Sequence, residues 1–169
     1  MHSKPIKLLV ALIIGMQLSL ILGTVYSNEK KLKEAKEIIV KLATKDPRSL
    51  LQGDYVILNY EISRGAEKWL RAIKNKKVNK VKVVLSKQNE IYIFDSLYTP
   101  TQNITLQKDQ VIMNGKVKKQ RHVYFGIENF FVEEGTGLEV ERNANFAKLK
   151  VTSTGDAFIT ELLEKVPGN

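Results

Sequence analysis

Asp54, Tyr55 and Tyr60 fall within one short run of this 169-residue chain, and Glu128 lies far downstream. If the fold brings Asp54 and Glu128 into a shared groove with the two phenols, they would hold a ligand through hydrogen bonds. The same residues also have an architectural reading. Gly53-Asp54 is a tight turn entering a strand, Tyr and Leu are common strand residues, and a Glu after Gly-Ile accepts backbone donors. Ser49 with a lysine is a formal nucleophile and base, since a desolvated lysine can take a proton. His122, beside Arg121, is the only histidine outside the amino-terminal tail, and a lone histidine in a strand is packed or hydrogen-bonded more often than catalytic. The chain has no Cys, which removes thiolate catalysis, disulfides and Cys-based metal sites. Two histidines and no D-x-D-x-D-G spacing leave no metal site, and Gly135-Thr136-Gly137 lacks the lysine of a phosphate loop. No cofactor is expected and no catalytic constellation stands out.

The elements that must position these residues are legible from periodicity. Glu37 to Ala43 is β-branched and reads as a short strand, ended by Asp46-Pro47. From Gly53 to Ile62 apolar side chains alternate with period two, as in a half-buried strand. From Gly65 the period becomes helical, with Ala66, Trp69, Leu70 and Ile73 on one stripe. Val81 to Leu85 and Ile91 to Phe94 form a hairpin about Lys87-Gln88-Asn89, and further strands are expected at 104–106, 110–113 and 122–125. Asn114-Gly115 predicts a hairpin turn. A strand over 147–152 and a helix over 156–165, with Phe158, Ile159, Leu162 and Leu163 on its apolar side, close the chain. The fold class is α+β: one strand-rich, mostly antiparallel domain with an amphipathic helix and a C-terminal helix, behind a single transmembrane helix.

That transmembrane helix is Leu8 to Val25, without a charge and with Gln17, Ser19 and Thr24 its only polar side chains. A bilayer core takes roughly 17 to 25 such residues. Lys4 and Lys7 precede it and Tyr26 follows it as an interfacial aromatic. The expected organisation is residues 1–27 as tail and signal anchor, 28–36 as a polar stalk, and 37–169 as the domain. Lys30, Lys31, Lys33 and Lys36 follow the span and oppose the usual charge rule, but a short basic tail behaves as a signal n-region and long domains translocate regardless of charge. The expected location is therefore the cell membrane, single-pass, with a cytoplasmic amino terminus and an extracytoplasmic domain, periplasmic in a Gram-negative envelope. Cleavage before Asn28 and secretion is the alternative.

The net charge is +9, but it is local. Arg64 to Lys87 holds nine Lys/Arg against one acid, Glu67. Lys68, Arg71, Lys74, Lys76 and Lys77 are the candidate contacts for an anionic surface, against the plainer reading of a solvated helix face. Nucleic acid is not expected, because exposed aromatics do not interleave with these cations.

Gly53-Asp54-Tyr55-Val56-Ile57-Leu58-Asn59-Tyr60 carries, letter for letter, the signature of the bacterial GDYxxLxY family, and the chain resembles that family over nearly its whole length. Asp46-Pro47-Arg48-Ser49-Leu50-Leu51 is similar to its D-P-R-x-L-L lead-in. The run from Tyr124 through Gly126, Ile127, Glu128, Phe131 and Glu134 to Gly135 is similar to its Y-G-I-E-x-[YF]-F-V-x-E-G block, with Phe125 as an extra aromatic. The resemblance implies a membrane-anchored protein without an assigned activity, often encoded beside or fused to polytopic membrane proteins. It points to a non-enzymatic accessory or assembly role with such a partner. A binding module for a small ligand or envelope lipid is the alternative. L-x-x-G-D-x-V also resembles the stretch after the serine of membrane signal peptidases, but Ser49 is displaced from that pattern, so a serine-lysine hydrolase is the remote reading.

Overall fold

The computed structural model describes residues 3–43, 55–72, 78–102, 104–118 and 122–167. The apolar amino-terminal stretch is one helix, α1 (Ser3–Lys33). The Ser19 and Thr24 hydroxyls donate to the carbonyls of Gly15 and Leu20 four residues back, at 2.9 and 2.8 Å. These two hydroxyls are thus satisfied within the helix, as a bilayer requires. Lys7–Lys33 is long and apolar enough to cross a membrane. The helix continues through most of the stretch expected to be a stalk. The chain divides into two compact units, Met1–Glu34 and Ala35–Asn169.

The second unit is α+β. A seven-stranded sheet runs in the order β6-β5-β3-β4-β1-β8-β9, built from β1 (Lys36–Lys41), β3 (Lys80–Gln88), β4 (Ile91–Tyr98), β5 (Gln110–Lys118), β6 (His122–Tyr124), β8 (Phe146–Val151) and β9 (Ala157–Leu163). A separate two-stranded ribbon joins β2 (Tyr55–Ile57) to β7 (Asn129–Phe131). All pairings are antiparallel except β1 with β4, parallel at Val40 and Tyr92. Alternation along the strands sends Ile38, Val40, Val81, Val83, Met113, Ala147, Leu149 and Val151 into one core. Helix α2 (Glu61–Ala72) covers it with Ile62, Ala66 and Leu70. A short helix α3 (Gly137–Asn143) precedes β8.

Several expectations change. Residues 156–165 are not a C-terminal helix but the strand β9, paired along β8. The physical reason is a bulge. Leu149 opposes Ile159 and Lys148 opposes Glu161, so Thr160 is an inserted residue, and its hydroxyl donates to the Lys148 carbonyl at 3.1 Å. Alternation with one extra residue puts Ile159 and Leu162 three apart, which imitates a helical stripe. Asn114-Gly115 lies inside β5 and makes no turn. A Cβ on Gly115 would stand 2.9 Å from methyls of both Val81 and Val123, while Asn114 donates through its backbone to Gly155 and through its amide to Thr154 and Asp156. Residues 104–106 are irregular rather than a strand. The signature strand is only three residues long, and α2 starts at Glu61, four residues before Gly65. Trp69 is 39 % exposed and lies off the buried stripe.

Candidate functional site

The two halves of the signature assemble into one unit. Tyr55, Val56 and Ile57 on β2 pair with Phe131, Phe130 and Asn129 on β7, and the Leu58 amide extends the ladder to the Glu128 carbonyl at 2.7 Å. Val56 and Leu58 are buried, and so is Tyr60, which bridges to Leu42. The Tyr60 hydroxyl donates to the Ile127 carbonyl at 2.6 Å. One residue on, the Glu128 carboxylate accepts the Phe125 amide at 2.5 Å and the Gly126 amide at 2.9 Å. Gly126 has φ +85°, a conformation that suits glycine alone at little cost. The Y-F-G-I-E segment is thus a tight loop whose own carboxylate ties its amides and whose Ile127 carbonyl is held by the core tyrosine.

Burial pushes the Tyr60 hydroxyl far above the ordinary phenol value of 10.0, and the nearby Glu128 carboxylate pushes in the same direction. Above pH 10 the unfolded chain releases this proton while the folded chain keeps it, so stability should fall with rising pH by about 1.4 kcal/mol per pH unit. Denaturant melts from pH 9 to 11 on the wild type and on Tyr60→Phe should diverge, the variant lacking that part of the alkaline slope. Equal slopes would remove Tyr60 from the account.

The expected site residues separate into distinct groups. Tyr60 and Glu128 come together in the core loop. Tyr55 faces outward, edge-on to Phe131 with ring centroids 6.3 Å apart. Glu134 and Gly135 are exposed in the turn before α3. Gly53, Asp54 and Ser49 lie outside the described residues, as do Lys74, Lys76 and Lys77. Lys68 and Arg71 are exposed on α2, and Arg71 reaches Glu67 at 4.0 Å. Glu67 also holds His122 Nδ1 at 3.0 Å and accepts the Val123 amide at 3.3 Å, tying β6 to α2.

Tyr124 belongs to a different feature, a cleft of about 730 Å³ bounded by β3, β5, β6 and the start of β9. This volume suits a small ligand. Lys80 and Lys82 of β3 and Lys116 and Lys118 of β5 line it, with Tyr124, Phe125 and Phe158 as apolar walls. The Lys118 ammonium sits 4.7 Å from the centre of the Tyr124 ring. The two acids in the cleft are occupied internally: Glu128 by the loop amides, and Asp156 by Asn114 at 3.2 Å and Thr154 at 2.9 Å. Sequence reasoning missed these four lysines as a group because it looked for the charge on one helix. A signal was present: no Asp or Glu occurs between Glu67 and Glu90, or between Asp109 and Glu128, and these acid-free stretches supply neighbouring strands.

The family model described as GDYXXLXY protein matches residues 17–162. No curated protein and no solved structure matches the chain.

Proposed function

The chain belongs to the GDYXXLXY protein family, and from that premise we propose that it is a non-enzymatic accessory protein, anchored by α1, whose signature ribbon docks on a polytopic membrane protein. One observation carries this reading. The Tyr60 hydroxyl and the Glu128 carboxylate are consumed inside the fold, while the ribbon's outward face presents Tyr55, Ile57 and Phe131, the last two 41 % and 79 % exposed. An exposed aromatic beside a second aromatic and an isoleucine is the kind of anchor that dominates protein interfaces. Anchorage would keep the domain at the membrane surface, where integral membrane proteins are its constant neighbours, and this favours such a partner over a soluble one. The amino terminus is cytoplasmic and the domain extracytoplasmic in this reading.

A photo-crosslinking side chain placed at position 131 of the full-length protein, in its own membrane, should capture a polytopic membrane protein. Ile57→Asp should reduce capture roughly tenfold or more, since a buried unpaired charge at an interface costs about 2 kcal/mol, without lowering the melting temperature of the domain. Adducts to lipid alone, or capture indifferent to Ile57→Asp, would sink the proposal. A carboxyl-terminal reporter enzyme that works only outside the cytoplasm tests the orientation, and an inactive, well-expressed fusion reverses it.

A further inference from the structure

We infer that the lysine cleft is a binding site for the phosphate-type head of a ligand that also carries an apolar portion. The inference stands apart from the docking ribbon and uses none of its outward residues.

Charge placement carries the argument. Lys80 and Lys116 are direct cross-strand partners, and Lys82 opposes Asn114 two pairs further on. Directly opposed side chains have Cβ atoms about 4.5–5.5 Å apart, and like charges there repel and destabilise the pair. Elsewhere in the same sheet the chain avoids this: Lys148 and Lys150 on β8 flank Glu37 of β1, at 3.5 and 3.8 Å. Among the described residues, Lys80, Lys82, Lys116 and Lys118 form no ion pair with a carboxylate within 4.0 Å. Four ammonium groups against two carboxylates leave two positive charges, which a phosphate monoester dianion balances in full and a monoanionic phosphodiester in part. The lysines therefore keep a repulsive arrangement that an external anion would relieve.

The walls define the rest of the ligand. Phe158 is 46 % exposed at the rim, and Phe125 and Tyr124 continue the apolar surface inward. An inorganic ion alone leaves that surface wet, whereas a phosphate ester of an apolar or aromatic group covers it. A phospholipid headgroup and a soluble organic phosphate share this chemistry.

The test uses the full-length protein in phosphatidylcholine nanodiscs and reads the acylation rate of each lysine by mass spectrometry. One arm adds phenyl phosphate, and the other replaces part of the lipid with phosphatidylglycerol. Binding should slow acylation of the four cleft lysines about tenfold at ten times the Kd, leaving Lys148 and Lys150 unchanged. Protection by phenyl phosphate assigns a soluble ligand, and protection only with phosphatidylglycerol assigns a lipid headgroup. In Lys80→Gln/Lys116→Gln, protection of Lys82 and Lys118 should disappear while the ligand-free melting temperature stays level or rises. Cleft and control lysines reacting alike in both arms would overturn the inference, as would protection unchanged in the double variant. Neither result bears on capture through position 131.

Discussion

Glu128→Ala should destabilise the domain by about 3 kcal/mol and lower its melting temperature by roughly 10 °C. The carboxylate accepts two amides, from Phe125 and Gly126, within a loop that has no other hydrogen-bonding device at these positions among the described residues. Hydrogen bonds to a charged acceptor contribute about 1.5–3 kcal/mol each, and the Phe125 amide is half shielded from water that could replace the lost partner. Gly126 holds a left-handed conformation and donates its own amide to this carboxylate. Once the loop opens, the Ile127 carbonyl drifts from the Tyr60 hydroxyl, and β7 loses its register with β2. Glu128→Gln should lose about half as much, because its amide oxygen accepts one of the two donors and its amino group faces the other. Urea titration of wild type and both variants checks the order. Equal stability of all three would show that the Glu128 carboxylate does not hold the loop, and would reopen a ligand-binding role for it.

Gly65→Ala should also cost about 3 kcal/mol, although alanine is the better helix former by nearly 1 kcal/mol. A Cβ at this position would stand 2.7 Å from both Cβ and Cγ of Phe94. The obstruction includes the first side-chain atom of a strand residue, so a rotamer change cannot remove it. Either α2 moves off β4 or the strand bends. Moving α2 withdraws Ile62, Ala66 and Leu70 from the core together. An exposed control on the same helix, Lys68→Ala, should leave stability within about 0.5 kcal/mol of wild type. If Gly65→Ala melts at or above the wild-type temperature, α2 does not rest on Phe94.

These two residues also show what the sequence reveals and what it hides. Gly65 reads as the place where a helix begins, because glycine interrupts most helices. Here it lies inside α2, and the cause is a neighbour from β4 that no local pattern discloses. The hairpin of β3 and β4 is legible because its alternation and its turn are both local, with Asn89 taking a φ of +56° as asparagine often does. The strand β9 is misread because a single inserted residue, Thr160, shifts the phase of its apolar side chains. Asn114-Gly115 is misread for the opposite reason: both residue types are explained by long-range contacts, the glycine by Val81 and Val123, the asparagine by the β8–β9 turn. The α+β class survives these errors because it depends on the count of strands and not on each boundary.

At the site, the signature letters are visible at once, but their division of labour is not. Tyr55 and Tyr60 look alike in the sequence. One faces out against Phe131, and the other sits 1 % exposed with its hydroxyl on a loop distant in sequence. Only the pairing of β2 with β7 separates the roles. The lysine cleft is harder still, since β3 and β5 are adjacent in the sheet while the whole of β4 and a loop intervene along the chain.

The position of β1 bears on the order in which the protein is made. This strand follows α1 directly in the chain, yet it occupies an interior place in the sheet, with β4 on one side and β8 on the other. Its antiparallel partner, Phe146–Val151, lies far along the chain from it, beyond six intervening strands and two helices. Closing that pairing spans almost the whole domain, the kind of long-range contact that makes folding slow. Until β8 arrives, one edge of β1 has no ladder partner and Ile38 and Val40 lack the neighbours that bury them. A chain halted before residue 146 would therefore carry an adhesive open edge at residues 36–41, and a ribosome that pauses between β1 and β8 should raise the demand for chaperones more than one that pauses after β8.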